Sequence, residues 1–133
     1  MKVNGRWISI VFLYLWQFYR KDGSETNIRG RDMNKKILNE VGAFIRRSRA
    51  EGDSIVVMGD TNGRLGELVG DAKMNKAGEM WYEFCLQNNL IILNGSPLSS
   101  GASETWTNGR FSSIIDYCAV SEQDEQFQVR RFV

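Results

Sequence analysis

The chain has 133 residues, 42% of them hydrophobic and 25% charged, which is the size and composition of one globular domain spanning 1–133. It contains no histidine, which excludes a Ser-His-Asp triad and any histidine-ligated zinc or haem site. The net charge is +1, but residues 20–49 carry nine basic side chains against four acidic ones, whereas residues 50–133 carry six against twelve.

The first half of the chain predicts a long strand, a helix and a short strand. The β-branched and aromatic run Trp7–Trp16 predicts a strand buried on both faces, and the polar stretch Arg20–Gly30 predicts a loop. Apolar residues recur at helical spacing over Arg31–Ala50, which predicts an amphipathic helix. The apolar strand Ser54–Met58 is then expected to end at the turn Gly59–Gly63.

Strands dominate the second half. A helix is predicted over Lys76–Asn88 and a strand over Leu90–Asn94. Further strands are predicted at Thr105–Thr107, Ile114–Val120 and Phe127–Val133. The expected class is therefore α/β, with a mixed β-sheet and the two main helices on one of its faces.

The apolar runs and the cysteines bear on membrane contact and compartment. The run from Trp7 to Trp16 is too short to cross a bilayer, which takes about 20 residues, so no membrane contact is expected. Cys85 and Cys118 lie within apolar runs, where cysteine behaves as a small buried hydrophobe; a disulfide between them is the alternative. Two cysteines in such a chain favour a reducing, intracellular location.

The basic segment offers a surface to a polyanion. Arg46, Arg47 and Arg49 lie at the end of the predicted helix, and clustered arginines of this kind can contact the phosphates of nucleic acid. The alternative is a solvated helix face without a partner.

Three acidic or amide residues are placed to carry chemistry. Asp60 and Asn62 follow a predicted strand, and ligands of open α/β sheets bind at the carboxyl ends of strands. Asp60 could hold Mg²⁺ or orient a water, although Gly-Asp-x-Asn is also a good turn sequence. Asp116 interrupts an apolar run, where a carboxylate is costly unless it is paired, bound to a metal or exposed at a sheet edge.

These residues lie in motifs that resemble the endonuclease/exonuclease/phosphatase superfamily. Val56–Gly66 resembles its GDxN signature, and Ser113–Ser121 resembles its IDY strand. Between them, Asn75–Cys85 and Asn89–Asn94 resemble the helix and strand that follow the signature. Glu104–Trp106 resembles a threonine-tryptophan segment of the family. The resemblance is strongest to the endonuclease domains of non-LTR retroelements and to craniofacial-development-type proteins.

The resemblance implies a Mg²⁺-dependent phosphodiesterase that cuts nucleic acid. By position, Asp60 would orient the attacking water and bind the metal, Asn62 would steady the nucleophile and phosphate, and Asp116 would support a catalytic histidine. Tyr14 resembles the active-site tyrosine of the family; a core aromatic is the alternative. The residues marked for contact with nucleic acid in these motifs are Arg64, Thr105 and Trp106.

The sequence also departs from the family. The catalytic histidine and the metal-binding glutamate of the family have no counterpart in this sequence. We therefore expect a truncated form of the fold, half of a two-layer α/β sandwich, with little activity alone. Three interpretations stay open: a phosphodiesterase fragment, a non-catalytic binding or assembly module, and a structural domain in which Asp60 and Asn62 form a turn. Because one face of the sheet would lack its cover, a homo-oligomer joined through that face or an edge is expected.

Overall fold

The computed structural model describes residues 1–20, 24–100 and 104–121 and confirms the α/β class. The elements in chain order are β1 (Lys2–Val3), β2 (Arg6–Tyr14), α1 (Ile28–Ala50), β3 (Ser54–Asp60), a short 3₁₀ turn (Gly66–Val69), α2 (Lys76–Gln87), β4 (Leu90–Ile92), β5 (Trp106–Thr107), β6 (Ser112–Ser113) and β7 (Asp116–Ser121). One mixed sheet has the order β1-β2-β3-β7-β4, with β2 parallel to β3 and the other neighbours antiparallel. Strands β5 and β6 form a separate hairpin.

Both helices pack on the same face of the sheet, as the amphipathic patterns predict. Ile45 of α1 and Trp81 of α2 are fully buried in one cluster with Ile55 and Val57 of β3. Alternation along β3 turns Ile55 and Val57 towards the helices. Burial of each such side chain is favourable by about 1.5–3 kcal/mol, so this layer is the main core.

The opposite face of the sheet, which we call the outer face, is covered only in part. Leu98 packs over Cys118 and Val120 of β7. On β2, in contrast, Phe12 is 76% exposed and Tyr14 is 61% exposed. The prediction that this strand is buried on both faces is therefore wrong, because the helices cover one face and no element in 1–20, 24–100 or 104–121 covers these two side chains.

Strand β2 also ends at Tyr14 rather than at the predicted Trp16. The Trp16 amide donates to Oδ1 of Asn34 at 2.7 Å, and Nδ2 of Asn34 donates back to the Trp16 carbonyl at 2.8 Å. Asn34 is fully buried on α1. Its side chain therefore takes the place of a neighbouring strand and fixes the chain where it leaves the sheet.

Two elements extend beyond their predicted limits. Helix α1 begins at Ile28, inside the predicted loop, because the Asn27 side chain caps it by accepting the N–H of Gly30 at 2.8 Å. Strand β3 continues into the predicted turn and ends at Asp60, passing through Gly59, whose φ is +148°. A Cβ at this position would collide with the Leu13 carbonyl oxygen, so only glycine lets β2 lie this close.

The strands of the second half are shorter than predicted. Strand β4 ends at Ile92, and β7 begins at Asp116 rather than at Ile114. The Ile114 amide donates to Oδ2 of Asp71 at 3.0 Å, so this residue is held by a side chain and not by the sheet. The predicted strand Phe127–Val133 lies outside the described residues.

The cysteines are buried and free, as expected for small apolar residues. Burial raises the pKa of the Cys118 thiol to about 11 and also raises the pKa of Cys85, so both thiols stay protonated at neutral pH. Neither helix of the described chain is long and apolar enough to cross a membrane.

Candidate functional site

Three predicted site residues lie side by side at one end of the sheet. The strand register pairs Tyr14 with Asp60 and Asp60 with Asp116. Alternation places the three side chains on the outer face, away from the helices, and we call them the carboxylate row. Tyr14 is 61% exposed and is therefore not a core aromatic.

Asp60 is the residue of the row with unfavourable electrostatics. Its partial burial raises the pKa of the carboxyl group, and the facing charge of Asp116 raises it further. The Asn62 amide, which donates to Oδ1 of Asp60 at 2.9 Å, acts in the opposite direction. Like charges directly opposite each other destabilise a strand pair, so a proton or a cation shared by the two carboxylates would relieve the repulsion.

Asn62 is fixed by hydrogen bonds on several sides. Its φ is +50°, a left-handed conformation that asparagine tolerates. Its Nδ2 donates to the Leu15 carbonyl at 2.7 Å. Its own carbonyl accepts the hydroxyl of Tyr19 and, at 3.5 Å, an N–H of Asn75. One side-chain N–H of Asn62 is thus committed to the backbone at the end of β2, and the other can face a ligand.

Two residues that were not predicted as site residues, Tyr19 and Asn75, support this site. Burial raises the pKa of Tyr19, so its hydroxyl remains a donor to Asn62. Oδ1 of Asn75 caps α2 by accepting the N–H of Gly78 at 2.8 Å, and it also accepts the N–H of Arg64 at 3.0 Å. An asparagine before a helical pattern is a recognisable cap signal. No sequence signal marks Tyr19, because its contact to Asn62 spans 43 residues.

The backbone of Asp116 is held on both sides. Its N–H donates to Oγ1 of Thr105 at 3.1 Å, and its carbonyl accepts Nδ2 of Asn94 at 2.9 Å. Thr105 also accepts the N–H of Ile115 at 3.0 Å. Thr105 therefore positions the start of β7, and its contact with nucleic acid stays a prediction. The neighbouring Trp106 is 45% exposed in the hairpin and is open to a partner.

Arg64 is engaged with a buried carboxylate. Its guanidinium binds Asp71 through two nitrogens, one of them Nε at 3.0 Å from Oδ2. Asp71 is 7% exposed and also accepts the amides of Ile114 at 3.0 Å and Lys73 at 3.2 Å. Burial opposes ionisation of Asp71, but these hydrogen bonds outweigh it and lower its pKa. This Arg64–Asp71 clamp connects the loop after β3 to Ile114, which lies just before β7.

The arginines of the basic segment lie at the other end of the sheet. Helix α1 ends just before β3 begins, and Asp60 is the last residue of β3, about 20 Å away at the usual rise of a strand. Arg46 and Arg47 are exposed, and Nη2 of Arg49 donates to the Asn89 carbonyl at 3.0 Å. The fold therefore separates this arginine cluster from the carboxylate row.

The row offers two carboxylates to a cation. Within the described ranges, no three Asp, Glu, Cys or His side chains gather into a metal-binding group. Mg²⁺ is commonly held by one or two carboxylates and keeps several of its waters, so Asp60 and Asp116 fit a weakly held ion. An ion there would offset the repulsion between them.

No protein-family model matches the chain, and no curated protein matches its sequence. Among solved structures, the chain is similar to the endonuclease domain of TRAS1, a telomere-specific non-LTR retrotransposon, with 18% sequence identity and a TM-score of 0.46. The match covers 65% of this chain and 39% of that chain. The chain thus spans about two fifths of that domain, and a similarity of this size assigns it no activity.

Proposed function

We propose that the chain is a remnant of a Mg²⁺-dependent phosphodiesterase of nucleic acid and that it does not turn over substrate alone. The supporting observation is the carboxylate row: Tyr14, Asp60 and Asp116 come from three distant segments and meet in register across adjacent strands. The row lies at the carboxyl ends of the parallel strands β2 and β3, where α/β sheets bind ligands. The motif resemblance to phosphodiesterases agrees with this position.

Each residue of the site has a chemical role in this proposal. Asp60 and Asp116 would hold Mg²⁺, which supplies stabilisation of the negative charge on a phosphate. Without the ion, the raised pKa of Asp60 makes it a stronger base towards water than an ordinary carboxylate. The second N–H of Asn62 and the exposed hydroxyl of Tyr14 can donate to phosphate oxygens.

The chain lacks a histidine to exchange protons with a substrate. General acid–base catalysis contributes about 10²–10⁴-fold to a rate, so its loss is large. Asp116, which would support such a histidine, lies opposite Asp60 instead. We therefore expect the site to bind an ion or a phosphate without cleavage.

Cleavage is tested on supercoiled plasmid with Mg²⁺ or with EDTA. We expect no nicking above the EDTA control. Metal-dependent nicking that disappears in Asp60→Ala would contradict the proposal, because the row would then be catalytic in this chain. Nicking that persists in Asp60→Ala would come from a contaminating nuclease.

Ion binding is tested separately with Mn²⁺ as a paramagnetic probe of the amide resonances. We expect the strongest broadening around Asp60 and Asp116, and its loss in Asp60→Asn. The matched control is Asp53→Asn, at the opposite end of β3, where the carboxylate accepts the Ser9 hydroxyl at 2.7 Å. Equal broadening at Asp53 and Asp60 would show non-specific binding and would remove the support for a metal site.

A non-catalytic binding or assembly module is the second candidate, favoured by the exposed Arg46 and Arg47. We expect salt-sensitive binding of labelled duplex DNA, since contacts to phosphates weaken as salt rises. The double variant Arg46→Ala/Arg47→Ala should reduce binding more than Lys35→Ala/Lys36→Ala, which removes the same charge from exposed positions of the same helix. Equal losses would assign the binding to net charge alone.

For the assembly role, we propose that copies of the chain join through the outer face of β2.

A further inference from the structure

Strand β4 has one free edge. Within residues 1–20, 24–100 and 104–121, it lies at the border of the sheet and pairs only with β7. The Leu93 amide donates to the Cys118 carbonyl of β7 at 2.8 Å. Backbone groups of antiparallel strands point to alternate sides, so Ile91 also faces β7. The N–H and carbonyl groups of Leu90 and Ile92 therefore point to the free edge, where an extended segment can bind them.

An apolar hollow lies beside this edge, on the helix side of the sheet. Leu90 and Ile92 line it from β4, Leu68 lines it from the 3₁₀ turn, and Tyr82 and Leu86 line it from α2. Its volume is about 200 Å³. A cavity of about 150 Å³ can bind benzene, so the hollow admits one aromatic side chain. Leu68 is 55% exposed and Leu86 is 57% exposed, so an occupant would also cover apolar surface at the rim.

Residues 122–133, which we call the tail, follow β7 and lie outside the described residues. Their first five residues, 122–126, are polar, and three of them are acidic. The other seven, 127–133, are the strand that the sequence predicts. In a strand, Phe127, Val129 and Arg131 share one face, so an aromatic side chain comes first on that face and a basic one follows four positions later.

We propose that residues 127–133 of the tail pair in parallel with the free edge of β4 and fill the hollow. Strand β7 ends at Ser121, which lies opposite Leu90, so the tail starts beside the first residue of β4. The position beyond β4 is two strand spacings, or about 10 Å, from β7. Five extended residues span up to about 17 Å. Residues 122–126 are therefore long enough to lead the chain round the start of β4.

The register of this pairing follows from the apolar positions. Phe127 lies beside Leu90 and enters the hollow, and Val129 lies beside Ile92. The backbone groups of Ile92 then bind the residues on either side of Val129, as in any parallel pair. The inference concerns the opposite border of the sheet from β2 and does not depend on an ion at Asp60.

Charge agrees with this direction of the tail. In the same register, Arg131 lies beside Asn94, one residue before Gly95. A Cβ on Gly95 would lie 3.0 Å from the backbone of Val69, so the 3₁₀ turn is close, and Glu67 is exposed on that turn. Arg131 therefore meets an acidic side chain. An antiparallel tail would place Arg131 at the other end of β4, away from Glu67.

The tether selects the tail over other extended segments. A short linker holds a segment at an effective concentration in the millimolar range, which a second copy or a separate peptide does not reach in dilute solution. The tail also has the chemistry that the site requires, with an aromatic residue for the hollow and a cation for Glu67.

Amide hydrogen exchange of the full chain, measured by NMR, tests the pairing. In the wild type, the amides of Ile91 and Ile92 should both exchange slowly, the first because it faces β7 and the second because it binds the tail. The variant Phe127→Asp should speed exchange at Ile92 by about tenfold or more and leave Ile91 unchanged, which also shows that the sheet is intact. The matched control Gln126→Asp adds the same charge one residue earlier, on the other face, and should change neither amide.

Two results would overturn the proposal. One is fast exchange at Ile92 in the wild type, which would mean that the edge is open. The other is slow exchange at Ile92 that is equal in the wild type and in Phe127→Asp, which would mean that the tail does not protect it. Protection that rises with protein concentration would assign the edge to the tail of a second copy and contradict pairing within one chain.

A charge exchange tests the parallel register. Arg131→Glu alone and Glu67→Arg alone should each speed exchange at Ile92 by about two- to fivefold, since like charges then meet. The double variant Arg131→Glu/Glu67→Arg should restore slow exchange, because the pair is then reversed and not lost. A double variant that exchanges at least as fast as the two single variants would reject this register.

Discussion

Two carboxylates at the same end of the sheet have opposite surroundings. Asp71 is 7% exposed, binds the Arg64 guanidinium and accepts two backbone amides. Asp60 is half-buried, accepts one backbone amide and faces the carboxylate of Asp116. The pKa of Asp71 is lowered and that of Asp60 is raised, so the protein stabilises one charge and disfavours the other.

This difference separates a structural carboxylate from one that is available for chemistry. A group whose hydrogen bonds are complete contributes to the fold and has little left to offer a ligand. A carboxylate that faces a like charge is stabilised by any cation or proton that binds to it. Such carboxylates are found preferentially at functional sites. Substitutions at Asp71 and Asp60 should therefore change the stability of the protein by different amounts and in opposite directions.

The largest effect is expected for Asp71→Asn. The change removes the charge that binds Arg64 and weakens the acceptor for the Ile114 amide, so the free energy of unfolding should fall by about 2–4 kcal/mol. Urea denaturation measures it. The control Asp32→Asn, at an exposed ion pair with Arg31, should cost less than about 0.5 kcal/mol. Equal losses in the two variants would show that the clamp is not structural.

A smaller loss is expected for Tyr19→Phe. The variant removes the hydroxyl that donates to the Asn62 carbonyl and leaves the aromatic ring in place, so the loss in stability should be about 0.5–1.5 kcal/mol. The control Tyr82→Phe, at a partly exposed tyrosine of α2, should be neutral. If denaturation curves of Tyr19→Phe overlay those of the wild type, the hydroxyl does not hold Asn62.

The substitution Asp60→Asn should change stability least, by less than about 0.5 kcal/mol, and in the stabilising direction. It removes the repulsion from Asp116, while Oδ1 of an asparagine can still accept the Asn62 amide. A loss of more than about 1 kcal/mol at pH 7 would mean that the ionised Asp60 stabilises the fold, which contradicts the view that the fold disfavours its charge.

The pH dependence of the same two variants gives a further, directional prediction. Because the pKa of Asp71 is lowered, its contribution is present above the ordinary aspartate pKa of about 3.9 and is lost as pH falls through the lowered value. Because the pKa of Asp60 is raised, its favourable contribution is present below about 3.9 and is lost as pH rises through the raised value. Between pH 3 and pH 7, the free energy of unfolding of Asp71→Asn should therefore fall relative to that of the wild type. Over the same range, the free energy of unfolding of Asp60→Asn should rise relative to that of the wild type.

The sequence predicts the class of the fold and the position of the row. The amphipathic spacing in α1 and α2 defines which helix faces are apolar. Strand alternation places Asp116 and Tyr117 on different faces of the sheet. Motif order brings Asp60, Asn62 and Asp116 into one candidate site. These features follow from local patterns with a period of 2 or 3.6 residues.

The long-range partners are not predictable in this way. The sequence marks Arg64 as a contact for nucleic acid, but only the fold shows that Asp71 occupies it. Similarly, the run of apolar residues in β2 looks the same whether one face is covered or both are, so Phe12 was expected to be buried. Separations through the fold, such as that between Asp60 and the arginine cluster, depend on topology and not on spacing in the chain.

The most direct test is a titration of the side-chain carboxyl carbons of Asp60 and Asp71 by NMR, with and without Mg²⁺. We expect Asp60 to titrate above the ordinary aspartate value and Asp71 below it. Added Mg²⁺ should lower the pKa of Asp60 and leave that of Asp71 unchanged. An Asp60 that titrates at or below the ordinary value, or an equal response of both residues to Mg²⁺, would contradict the assignment of Asp60 as the carboxylate open to ligands.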